Sequence, residues 1–292
     1  MTTLAYRLLS SVFLVSLVLG TLFCFPLWVF AVVIMGFVAS GLYEFFTMVR
    51  HRGILVHRLL SVALGVVFIG LVAWRSLVQP GLVPTPILGP GETLMSWMWD
   101  IFSPATIVLV FIRQFLREKT FEALGGLATT LFGLAYVAAL FSYLFYIRTR
   151  HPAQGAWLVL YLILVTKLGD AGAYAVGSVC GRHTLMPRIS PRKTLEGFVG
   201  AVVFSALAAL WARPMLGSQR IFGHAPLPIL CLLLGLILGI VGQFGDLAES
   251  LLKRDCQVKD AGALLPGLGG VLDVIDSLLF TAPLFYGILI YG

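Results

Sequence analysis

The sequence predicts an all-α fold: a polytopic transmembrane helical bundle of about nine helices with its N-terminus in the cytoplasm. Three observations carry this prediction. Of the 292 residues, 59% are hydrophobic and only 11% are charged, with a mean hydropathy of +0.99. Apolar runs recur at the length a bilayer core demands, about 20 residues of helix. Lys and Arg gather between those runs in an alternating excess. Soluble domains carry roughly a quarter charged residues. A single core cannot hide this much apolar surface from water, whereas lipid solvates it.

The runs are read in order. Arg7 and the apolar stretch after it resemble a signal peptide, but the stretch continues past Pro26 to Val49 without a small-residue cleavage site, so a retained anchor is expected. Pro26 divides it into spans at 6–25 and 27–48. Further spans follow at 54–78, 94–112, 121–147, 155–179, 196–216, 226–252 and 270–291. The fourth is the weakest, interrupted by Ser103-Pro104. Residues 79–91, rich in Gly and Pro, read as a loop. No repeat of fixed period is visible.

With the N-terminus inside, the inner segments carry Arg7, Arg50, Arg52, Arg58, Arg113, Arg117, Lys119, Arg182, Arg188, Arg192, Lys193, Lys253, Arg254 and Lys259. The outer ones carry only Arg75, Arg148, Arg150, Arg213 and Arg220. This bias assigns the loops at 180–195 and 253–269 to the cytoplasm. The net charge of +7 lies between apolar runs, so it points to anionic headgroups or substrates and not to nucleic acid. Cys24, Cys180, Cys231 and Cys256 form no CxxC pair and have no His at zinc spacing, and they read as reduced thiols.

Ionisable residues inside a membrane are costly and mark function or pairing. Residues 1–150 hold almost none; Glu44 lies near the end of a span. They read as scaffold and lipid contact, and 151–292 as the catalytic unit, with Lys167, Asp170, Glu196, Asp246, Glu249, Asp273 and Asp276. Asp246, Glu249, Ser250 and Lys253 fall on one helix face, where Asp246 alternatively pairs with Lys253 or Lys167. The loop Arg254 to Asp260 carries cations suited to phosphate oxygens, or simply follows the inside rule. Pro266-Gly267-Leu268-Gly269-Gly270 opens the last helix, where backbone N–H groups and the helix dipole favour an anion. Asp273 and Asp276 follow in its first turns, where acids also suit the helix dipole and read alternatively as capping. With Asp246 they make three carboxylates expected to converge on a hard cation such as Mg²⁺. Ile189 to Gly197, with Ser190, Arg192, Lys193, Thr194 and Glu196, reads either as a phosphate or ribose site or as a capped helix start.

The stretch from Ser250 to Asp276 resembles the signature of phosphatidate cytidylyltransferase, also called CDP-diacylglycerol synthase. The matching positions are Ser250, Lys253-Arg254, Lys259-Asp260, Leu265-Pro266, Gly269-Gly270 and the aspartates 273 and 276. Gly245 to Ser250, Asp170 to His183 and Ile189 to Gly197 are also similar to that family, so the likeness covers 160–292. Two positions depart from it: Leu268 stands where the family usually has His, and Val274 where it usually has Arg. The resemblance implies that CTP and phosphatidate give CDP-diacylglycerol and pyrophosphate, for phospholipid synthesis at the inner membrane, with Mg²⁺ and a second cation such as K⁺. It implies catalytic roles for Asp246, Lys253, Arg254, Asp260, Asp273 and Asp276. Asp246, Asp273 and Asp276 would be the metal ligands. Ser190, Arg192, Lys193, Thr194, Glu196, Lys259, Gly269 and Gly270 would hold the nucleotide. A homodimer is implied as well. Three other readings compete. A transporter would use intramembrane acids but show inverted repeats. A CTP-dependent polyprenol kinase would transfer the γ-phosphate. A CDP-alcohol phosphotransferase needs an Asp-Gly-x-x-Ala-Arg motif, which Asp170-Ala171-Gly172-Ala173 does not supply.

Overall fold

A computed structural model describes residues 3–78, 96–115, 123–150 and 153–291. The expected loop at 79–91 and the basic pair Arg117 and Lys119 lie outside the described residues. The helices are α1 (Thr3–Leu19), prolonged by a π-helical turn Gly20–Cys24, α2 (Leu27–His51), α3 (Arg58–Val78), α4 (Ser96–Phe115), α5 (Ala123–Gly133) and α6 (Leu140–Arg150), the last two joined by a π-helical turn Leu134–Ala139. Then come α7 (Gly155–Cys180), a two-stranded antiparallel hairpin of β1 (Thr184–Met186) and β2 (Ser190–Thr194), α8 (Leu195–Trp211), α9 (Pro228–Asp255) and α10 (Val271–Tyr291).

The sequence punctuates these elements locally. Pro26, extended at φ −61° and ψ 157°, separates the first two helices, since its ring cannot continue the hydrogen-bond ladder. Thr194 caps α8 by accepting the Gly197 N–H at 3.1 Å. Among the described residues, seven helices are long and apolar enough to cross a membrane. In α4 only Pro104–Phe115 is apolar, and α8 spans 17 residues, short of the expected length. The hairpin amends the all-α reading: Ser190 to Thr194 form a strand, and the helix begins after them.

Large side chains are distributed as a protein in lipid requires. Phe45, Phe46, Phe145, Tyr161 and Phe285 are buried where α2, α6, α7 and α10 meet, while Leu59, Leu124, Val179 and Trp211 are exposed. So much outward apolar surface suits acyl chains and not water, and the chain is an integral membrane protein.

Several contacts gather the basic segments at one end of the bundle. Arg7 Nε donates to the Gly267 carbonyl at 3.0 Å and Ser10 to Pro266 at 2.8 Å. Arg52 pairs with Asp255, and Arg254 Nε donates to the Ile189 carbonyl at 3.2 Å. At the other end Arg148 reaches the Leu22 carbonyl and Arg150 that of Leu289. Successive helices α7, α8, α9 and α10 run antiparallel between these ends as packed neighbours. Gly245 lets α9 lie flush on α10: a Cβ there would stand 2.7 Å from the Asp276 carbonyl and 3.2 Å from Ser277 Cα. Replacing Gly245 with Val should force the helices apart at a cost of about 1–3 kcal/mol, read as a lower midpoint of thermal unfolding in detergent together with lost activity.

Candidate active site

The i, i+3, i+7 spacing of α9 places Asp246, Glu249 and Lys253 along one face, and α10 brings Asp276 to meet them. One carboxylate oxygen from each of Asp246, Glu249 and Asp276 lies within 4.8 Å of the others. Glu249 is 0% exposed and Asp276 6%. Lys253 Nζ donates to Glu249 Oε2 at 2.6 Å and to Asp273 Oδ1 at 2.7 Å. Lys193 Nζ, from the hairpin, pairs with Asp246 Oδ2 at 2.6 Å. The Ser277 N–H donates to Asp276 Oδ1 at 2.5 Å. Glu249 Oε1 is buried without a hydrogen-bond partner.

This trio differs from the expected Asp246, Asp273 and Asp276. Asp273 stands about 4.5 Å further toward the loop than Asp276, at 1.5 Å of helix rise per residue. There the loop claims it: Oδ2 accepts the N–H of Gly270 at 2.7 Å and of Ala261 at 3.2 Å. Glu249, one turn along from Asp246, fills the third place. Asp246 pairs with neither Lys253 nor Lys167. Lys167 donates instead to Asp170 Oδ2 and to Ser277 Oγ, both at 3.0 Å, while Gln243 approaches Asp170 Oδ1 at 3.4 Å.

Beside the acids lies a cleft of about 400 Å³ between α7, the hairpin, α8 and α9, within the size range of ligand pockets. Asp170, Tyr174, Arg192, Lys193, Thr194 and Asp246 are among its walls. Three of the residues expected to hold a nucleotide, Arg192, Lys193 and Thr194, therefore face one space, and Lys193 and Asp246 belong both to it and to the acid centre. Ser190 lies on β2, at the base of the hairpin turn. Glu196 is engaged elsewhere. It accepts the N–H groups of Arg182 and His183 at 3.1 and 3.2 Å and pairs with His183 Nδ1 at 2.6 Å, which fixes the exit of α7 against the start of α8.

The Gly-rich loop is folded inward. Gly267 and Gly269 take φ of +81° and +97°, a region open to glycine at little cost. The Gly269 N–H donates to the Leu265 carbonyl and that of Gly270 to Asp273. These amides are thus spent within the loop, not presented to an anion. Arg254 Nε is likewise spent on Ile189, and its Nη1 approaches the Val258 carbonyl at 3.4 Å. Lys259 and Asp260 are exposed on the same loop. Glu44, from α2, accepts the Leu272 N–H at 2.9 Å at the start of α10, and a Cβ on Gly270 would stand 2.6 Å from it. Its signal in the sequence was a lone acid in an apolar run; only the partner was hidden.

Lys253→Met removes the cation shared by Glu249 and Asp273. An uncompensated buried charge costs about 3–5 kcal/mol, so this variant should unfold earlier than the parent in detergent, and adding Glu249→Met should recover part of the loss.

Comparison with known proteins extends the likeness beyond the C-terminal half. Residues 5–291 match the profile of the cytidylyltransferase family. The uncharacterized protein YnbB of Escherichia coli (strain K12) is 44% identical over 162 residues, which cover 55% of this chain and 50% of that protein. The phosphatidate cytidylyltransferase of Staphylococcus saprophyticus is 38% identical over 199 residues, 67% of this chain and 72% of the relative. That of Staphylococcus haemolyticus is 43% identical over 198 residues, 66% and 72% respectively. The chain thus spans half the length of YnbB and nearly three quarters of the two staphylococcal enzymes. A match that leaves only a few terminal residues outside it settles the kinship: the chain belongs to the cytidylyltransferase family.

Proposed function

We propose that the chain transfers the cytidylyl group of CTP to phosphatidate, giving CDP-diacylglycerol and pyrophosphate at the cytoplasmic face of the inner membrane. The observation that carries this reading is the acid centre opening onto a cleft that Arg192 and Lys193 line, with Lys193 and Asp246 common to both. An oxygen of the phosphatidate phosphate attacks the α-phosphorus of CTP, and the bond from that phosphorus to the β-phosphate oxygen breaks. No activated Ser or Cys is needed; positioning and charge neutralisation suffice. Arg192 and Lys193 line the space for the triphosphate. Thr194 and Tyr174 border it, and Tyr174 and Val179 on α7 are exposed, so the lipid's acyl chains remain outside along that face.

The donor set fits a hard cation. Five carboxylates, Asp170, Asp246, Glu249, Asp273 and Asp276, share three ammonium groups, Lys167, Lys193 and Lys253, and Asp276 has none within ion-pair distance. The orphaned Glu249 Oε1 adds a free ligand atom. Asp246, Glu249 and Asp276 would hold Mg²⁺, which takes such oxygens together with phosphate oxygens; Asp273 would act through Lys253. The cation, with K⁺ as a second one, would supply neutralisation of the triphosphate charge.

We read the chain as crossing the membrane nine times. Gly126 at the start of α5 lies close against the Leu55 carbonyl, just before α3. In this reading α4, apolar over Pro104–Phe115, is one of the nine. The likeness to the family also makes a homodimer the expected assembly.

The direct test is the purified protein with CTP, phosphatidate and Mg²⁺, reading pyrophosphate and CDP-lipid together; release of CDP would instead indicate kinase chemistry. Asp276→Asn should lower CTP incorporation by about 10²–10³-fold while membrane insertion stays unchanged, and full turnover in that variant would overturn the assignment.

A further inference from the structure

Tyr136 stands apart from the scaffold role of the N-terminal half. It lies on the π-helical turn Leu134–Ala139 between α5 and α6, and such turns recur at functional sites because the extra residue re-aims side chains. The side chain is 5% exposed, and its hydroxyl has no hydrogen-bond partner. A buried phenol normally finds one. Its ring stacks on Phe132 at 5.6 Å and meets Phe280 edge-on at 6.3 Å. Phe280 is one turn along α10 from Asp276, on the same face. The phenol also feels the charges of Glu249, Asp276 and Asp246, the three acids of the centre. Tyr161 provides the contrast. Its hydroxyl is also buried and unpartnered, but its ring stacks on Phe285, nine residues beyond Asp276 on α10.

We propose that Tyr136 is a fourth polar group of the acid centre, whose hydroxyl donates a hydrogen bond to an oxygen carried by the bound cation. Glu249 Oε1 and the Tyr136 hydroxyl are both buried without a hydrogen-bond partner. One is an acceptor that binds a cation directly. The other is a donor that suits an oxygen on that cation: water when the site holds the ion alone, phosphate when it holds the nucleotide. The neutral phenol contributes a donor among carboxylates without adding charge, and it comes from the half of the chain that supplies none of the acids. This inference rests on the reading of Asp246, Glu249 and Asp276 as a cation site.

The test is Mn²⁺ binding followed by electron paramagnetic resonance on purified protein in detergent, without nucleotide. Tyr136→Phe keeps the ring and removes only the hydroxyl. One lost hydrogen bond predicts Mn²⁺ affinity about five- to tenfold weaker than in the parent, while Tyr161→Phe binds like the parent. Equal affinity in the parent and Tyr136→Phe would overturn the inference and leave the cation site standing. So would an equal loss in both Tyr→Phe variants, since that marks general loosening of the bundle. A parent protein with no Mn²⁺ site that Asp276→Asn abolishes would overturn the cation site itself, and this inference with it.

Discussion

The meeting of Asp246, Glu249 and Asp276 between two membrane helices is the constraint on which the rest of the structure depends. Carboxylates held this close repel, and burial deepens the cost. Lys193 and Lys253 offset part of it from opposite sides, one from the hairpin and one from α9 itself. Neither lysine is interchangeable with a surface charge. Lys253 is divided between Glu249 and Asp273, so it ties the acid centre to the loop that starts α10. Lys193 ties the same centre to the wall of the cleft. The remaining negative charge is left uncompensated by the chain's own ammonium groups.

Holding that arrangement needs both halves of the chain. The turn at Pro266–Gly270 is clasped from α1 by Arg7 and Ser10, and the first amides of α10 are met by Glu44 from α2. A carboxylate at a helix N-terminus answers both the free N–H groups and the helix dipole. Glu44 therefore does for α10 what a cap in the adjoining loop does for a soluble helix, but from a distant part of the sequence. The loop also grips Asp273 in the first turn of α10, whose carboxylate accepts the N–H groups of Ala261 and Gly270. The start of α10, and with it the height of Asp276, is fixed by contacts rather than by local preference.

The cleft shows a similar division. Its floor is a membrane helix, α7, whose small residues admit α8 closely, a known mode of helix association in lipid. Its lid is the polar hairpin, anchored to α9 through Arg254 and to α8 through Thr194. A charged triphosphate and an apolar lipid tail can be served by one site only where water-facing and lipid-facing surfaces adjoin, and the end of the bundle supplies that boundary.

By itself the sequence determined the membrane class, most of the helices and the two segments that form the site, because apolar length and charge placement are local properties. Asp246, Glu249 and Lys253 were legible as one face, since a helical period needs no partner. Tertiary structure decided which acids meet. Asp273 and Asp276 look equivalent at i, i+3, and the loop amides that claim one and spare the other exist only in the folded chain. It also decided that the glycine turn cradles Asp273, that Glu44 caps a helix 228 residues away and that Tyr136 packs edge-on against Phe280 of α10. These follow from helices packed side by side, and sequence periodicity carries no information about which faces of distant helices come into register.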